Sequence, residues 1–153
     1  MGQVTHDQAN LLLRLFELRR EPRLRQAREW FVRNYNAATL QEATQKYPMG
    51  SETETNTRMT LSYWDMAVSF VNRGLIDEEM FFETSSEGWL VWDRIKEIAF
   101  EQRAAMKSPT FLAHLEKYAI RFEEWRERVA PGSIEVMRQR MTAMRNQASK
   151  AAS

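Results

Sequence analysis

Few side chains in this sequence are of a type and spacing that do chemistry. Its two histidines, His6 and His114, stand far apart, and neither falls in the His-Glu-x-x-His or Glu-x-x-His spacing that places metal ligands on one helix face. His114 lies beside an apolar stripe rather than in it, the position of an ordinary structural histidine. The acid groups Asp77/Glu78/Glu79 and Glu123/Glu124 have the residue types for proton transfer or cation binding. Carboxylates in the first turn of a helix are also stabilised by the helix dipole, by about 0.3 to 1 kcal/mol each, which accounts for them without catalysis. The chain has no cysteine, so thiolate chemistry and zinc knuckles are excluded, and its five glycines form no phosphate-cradling loop. The residues therefore predict no catalytic centre, metal site or cofactor, and a non-enzymatic protein.

One acid is different. Asp65 sits between two apolar faces of a central helical segment, flanked by Trp64 and Met66, where an unpaired carboxylate costs several kcal/mol. It needs a partner, and Arg28 or Arg14 from the basic N-terminal segments are the candidates. A structural ion pair is one reading. The other is a ligand-binding acid in a cleft lined by Tyr63, Trp64 and Trp92, which makes Arg28, Tyr63, Trp64, Asp65 and Trp92 the candidate ligand or ion-pair site.

These side chains must be carried by helices. The chain has 153 residues, 43% hydrophobic and 28% charged, a composition that suits one globular domain with a core large enough to need no staple. Thr5 or Asp7 can cap a first helix whose apolar residues Ala9, Leu11, Leu12, Leu13, Leu15, Phe16 and Leu18 predict burial on most of its girth. Pro22 suits the first turn of a second helix starting near Glu21, with Leu24, Ala27, Phe31 and Tyr35 inward. Thr39 caps a short helix, Leu40 to Tyr47. Residues 48–56 are polar apart from Met49 and predict an exposed loop. The apolar set Leu61, Trp64, Ala67, Val68, Val71 and Leu75, with Met59, Tyr63, Met66 and Phe70 on a second face, predicts a central helix ended by Gly74.

From Asp77 to Trp92 a β-hairpin and two helices are both compatible with the pattern. The unbroken face Trp89, Trp92, Ile95, Ile98 and Ala99 favours a short helix, then a long one from Ser86 to about Lys107. Ser108-Pro109 is a start signal for the next. There Phe111, Leu115, Tyr118, Phe122, Trp125 and Val129 make a heptad seam, and after the breaker Ala130-Pro131-Gly132-Ser133 the set Ile134, Met137, Met141, Met144 and Ala148 makes a second. Two such helices joined by four residues are antiparallel neighbours. The expected fold is all-α, a single-domain bundle of about seven helices over residues 1–153, ending in a helical hairpin from about 108 to 150.

Charge is layered along the chain. Residues 1–51 carry 8 basic and 5 acidic side chains (+3), residues 52–101 carry 4 and 11 (−7), and residues 102–153 carry 10 and 5 (+5). The basic ends are thus expected to pack on the acidic middle, or to dock a second copy, rather than to face a polyanion. A helix, a loop, a second helix and a possible hairpin over 39–92 imitate a winged helix-turn-helix, but its recognition helix and wing would lie in the −7 segment, which disfavours nucleic acid. The flexible stripe Met137, Met141 and Met144, flanked by arginines, is a candidate partner seam, for a protein partner or a homodimer, or else packs within the chain. No stretch approaches the roughly 20 apolar residues of a membrane span, and the cytoplasm is the default compartment.

Four motifs in order carry a likeness: Glu21-Pro22 with arginines following, Tyr63-Trp64-Asp65, Arg73-Gly74-Leu75-Ile76-Asp77, and Pro109-Thr110-Phe111-Leu112-Ala113-His114-Leu115. In these the chain resembles a family of bacterial helical proteins of unknown function, some members of which carry membrane-spanning helices before the domain. The resemblance covers most of the chain, except that the family usually has Glu where Asp65 stands. It implies a helical fold, with helices over Asp77 to Trp92, and brings no activity with it. What remains is a protein-interaction or scaffold module, with a small-molecule or regulatory sensor around Asp65 and a winged-helix-like nucleic-acid binder as alternatives.

Overall fold

A computed structural model describes residues 2–153, and among them are eight helices and no strand. The helices are α1 (His6–Arg19), α2 (Pro22–Asn34), α3 (Leu40–Lys46), α4 (Glu52–Asn72), α5 (Glu78–Thr84), α6 (Glu87–Met106), α7 (Ala113–Val129) and α8 (Ser133–Ala152). The fold is all-α, one helix above the expected seven, and 77–92 is helical.

Local chemistry explains most of the boundaries. Thr5, Thr39 and Asp77 each accept a hydrogen bond from a first-turn amide of α1, α3 and α5, and Glu21 caps α2 ahead of Pro22. Gly74, at φ +75°, lets the chain leave α4 in the left-handed conformation, and the Leu75 amide donates back to Phe70 O at 2.9 Å. Leu75 lies past that turn and is half exposed rather than inward.

The core lies among α2, α4, α6 and α7, with α4 packed on the other three. Its centre is aromatic: Phe31, Trp64, Trp89, Tyr118 and Phe122 are each at most 1% exposed. Gly88 permits the closest approach of α6, since a Cβ there would stand 3.1 Å from the Trp64 ring and 3.2 Å from that of Tyr118. The basic ends do fold onto the acidic middle, through Arg28–Glu87, Arg121–Glu78 and Arg138–Asp93.

Three expectations are corrected. The exposed loop over 48–56 shrinks to Pro48–Ser51, because the Ser51 hydroxyl caps α4 by accepting from the Glu54 amide at 3.2 Å, and Asn56 is buried. α1 buries only Leu12 and Leu15, while Leu13 and Leu18 are exposed. It is a peripheral helix packed chiefly on α2, so only one stripe of its apolar girth finds cover. The start of the hairpin moves from Ser108-Pro109 to Ala113: residues 109–112 form turns, Leu112 takes a left-handed φ of 53°, and Arg103 holds the segment by donating to Phe111 O at 2.8 Å.

Candidate functional site

The start of α7 explains Asp65. Leu112, in the N-cap position, has no polar side chain and caps nothing. Asp65, half-buried on α4, supplies the missing acceptor from another helix: its Oδ1 takes a hydrogen bond from the Leu115 amide at 3.0 Å. A carboxylate at a helix N-terminus is favoured by both the free amides and the dipole. The requirement that this acid have a partner is thus met by backbone, not by arginine. Arg14 is exposed, and Arg28 is committed elsewhere.

Arg28 forms a two-toothed pair with Glu87, Nε and Nη2 each donating at 2.7 Å, and its Nη1 donates to Arg19 O at 2.7 Å. Trp64 Nε1 donates to the same Glu87 at 3.0 Å. Arg19 lies beside them, over the Phe16 and Trp64 rings, and burial together with the neighbouring Arg28 lowers its pKa below the ordinary guanidinium value. Tyr63 points to α1, donating its hydroxyl to Leu15 O at 2.6 Å, and burial pushes its phenol up to about 12. Trp92 packs edge-on to Phe100 and near the Arg103 guanidinium.

The expected cleft of Arg28, Tyr63, Trp64, Asp65 and Trp92 therefore does not form. Consecutive helix residues point about 100° apart, so Tyr63, Trp64 and Asp65 address three different neighbours.

Asp65 instead opens on a different space. A groove of about 550 Å³ lies between α3, α4 and α6 and is lined also by the turn before α7. Ala43 of α3, Tyr47 just past its end, Leu61 of α4 and Ile95 and Ile98 of α6 make apolar walls, with Asp65 among them. Tyr35, 2% exposed, contributes a wall braced by stacking on Phe31 and Tyr47 at centroid distances of 4.7 and 5.0 Å. Burial raises its phenol pKa far above the ordinary value, so the group is neutral at physiological pH. Three of the hydroxyls along the groove, Thr44, Thr57 and Ser62, donate to the carbonyls of Leu40, Thr53 and Arg58, which leaves their lone pairs as the groups those three offer. Arg58 pairs with Glu54 at 3.3 Å along the same helix.

Most of the other chemistry-bearing residues have local tasks. His114 Nδ1 faces Asn72 Nδ2 at 3.2 Å, Glu78 binds Arg121, Glu123 accepts from Trp89 Nε1 and Arg138, and Asp77 is a cap. No cluster of potential metal ligands occurs among the described residues. The stretch that imitated a winged helix-turn-helix has no β wing among the described residues, and its second helix is the buried α4. Of the methionine seam, Met137 and Met141 are half-buried against the chain itself and Met144 is exposed, Arg145 taking the next inward place. Among the described residues no helix is long and apolar enough to cross a membrane.

No curated protein and no solved structure matches the chain. A family model does, over residues 4–122, a span that holds α1 to α6, the first part of α7 and every wall of the groove. The chain belongs to the family described as Domain of unknown function (DUF4760).

Proposed function

We propose that the chain is a non-enzymatic binding module that takes a small, mainly apolar molecule in the groove between α3, α4 and α6, as a sensor would. One observation carries this reading: the groove combines apolar walls with few charged side chains, of which Asp65 is in no salt bridge among the described residues. Its volume of about 550 Å³ falls within the roughly 300 to 1,000 Å³ of small-molecule sites, which share that lining. The scaffold reading has less to stand on, because two of the three seam methionines already pack within the chain.

A groove-filling variant tests it. Ala43 is on the short peripheral helix α3 and lines the groove. Ala43→Trp should leave the helical circular dichroism unchanged and weaken binding of the neutral apolar dye Nile red by at least about tenfold, the loss of roughly 1.4 kcal/mol of contact. Equal dye affinity in the variant and the parent chain would refute the site.

A further inference from the structure

The walls of the groove also specify charge. We infer that its occupant carries a cationic, hydrogen-bond-donating head on an apolar body, an alkyl or arylalkyl amine, and that Asp65 is the residue that receives the head. The inference rests on the groove being a binding site and goes further by naming the ligand class.

Three ionisable side chains that carry charge at neutral pH line the groove: Glu54, Arg58 and Asp65. The first two neutralise each other at 3.3 Å, with the Arg58 side chain 66% exposed. Among the described residues Asp65 is left with no lysine or arginine in a salt bridge. Its one hydrogen bond among the described residues, to the Leu115 amide, uses Oδ1. A carboxylate has about four acceptor positions, and the positive end of the α7 dipole offsets only about half a unit of charge. The second oxygen and the remaining charge are available to whatever enters.

The three classes of occupant then differ in energy. An anion would be driven against Asp65, and Arg58, the one cation in the lining, is already shared with Glu54. A neutral apolar molecule can cover the walls, but where it reaches the carboxylate it strips water and gives nothing back, so it binds more weakly than a cation on the same body. An ammonium head restores the lost hydrogen bonds as charge-assisted ones, while its hydrocarbon covers Leu61, Ile95 and Ile98. The hydroxyls of Thr57 and Ser62 add lone pairs of the same polarity, since their own protons are spent on helix carbonyls.

The test displaces Nile red from the full chain with three probes of equal length: 1-octylamine, 1-octanol and octanoate. Octylamine should act at a concentration lower than octanol by at least about tenfold, with octanoate weakest. In Asp65→Asn the side-chain carbonyl still accepts from Leu115, so α7 keeps its cap while the charge is gone. Octylamine and octanol should then become equal, with Nile red binding retained. Equal displacement by amine and alcohol on the parent chain, a preference for octanoate, or an amine preference that survives in Asp65→Asn would each overturn the assignment while leaving the groove standing. Failure of Nile red to bind the parent chain would remove the groove reading itself. Should Asp65→Asn not fold by circular dichroism, the order of the three probes on the parent chain decides alone: amine first supports the inference, and any other order overturns it.

Discussion

Glu87→Ala should lower the unfolding free energy by about 3 to 5 kcal/mol, the cost of leaving a buried charge without its partner. Arg28 has a side-chain exposure of only 11% and Glu87 of 21%, so their two 2.7 Å hydrogen bonds are poorly screened. The same truncation orphans Trp64 Nε1 at the centre of the core. It also leaves Arg28 facing Arg19, whose guanidinium is already disfavoured by burial and by that neighbour. Urea denaturation followed by circular dichroism measures the loss. A fall of less than about 1 kcal/mol, the range of an exposed pair, would show that water reaches the site. The double variant Arg28→Met with Glu87→Leu should recover the part of the loss due to the unpaired charge, because apolar groups of similar volume substitute well for a buried pair, while Trp64 Nε1 stays without its acceptor.

Phe122→Ala should cost a similar amount, about 3 to 5 kcal/mol. Phe122 is 1% exposed and touches four other rings, with centroid distances of 5.5 Å to Phe82, 6.0 Å to Trp89, 5.9 Å to Tyr118 and 5.8 Å to Trp125. Those rings belong to α5, α6 and α7, so collapse into the cavity would need several helices to move together. Val129, seven residues along the same heptad seam, is 52% exposed, and Val129→Ala should change stability by less than about 0.5 kcal/mol. Equal losses at the two positions would mean that the seam stays buried to the end of α7.

The parts of this fold readable in the sequence are those set by contacts a few residues apart. Thr5 and Thr39 are caps in the residues and caps in the structure, Pro22 opens the second helix and Gly74 is a stop in both. The breaker at Ala130 to Ser133 does turn α7 back into α8, though α8 buries only Ile134 fully and turns Met144 outward. The polar stretch 48–56 carried a local signal of its own: Ser51 with Glu54 three residues on is the first half of a capping box, and composition hid it.

What could not be read locally was the cap supplied from a distance. Ser108-Pro109 has the form of a helix start, yet α7 begins after it, where Asp65, fifty residues away in sequence, meets the Leu115 amide. The same contact is why Asp65 needs no arginine, and Arg28 finds Glu87 through the packing of α2 on α6. The groove is assembled from α3, α4, α6 and the turn at 110–112, so no single segment announces it. Asp65 could be singled out because its apolar flanks make a carboxylate costly. The surroundings that would answer that cost depend on tertiary structure.

Chemical-shift mapping of the isotope-labelled chain titrated with 1-octylamine tests the central claim most directly. An amine-receiving groove predicts saturable shifts concentrated on the methyl groups of Ala43, Leu61, Ile95 and Ile98 and on the Leu115 amide, which reports on Asp65 through their shared hydrogen bond. Shifts confined to α8 or scattered over the surface, or none at millimolar probe, would contradict it.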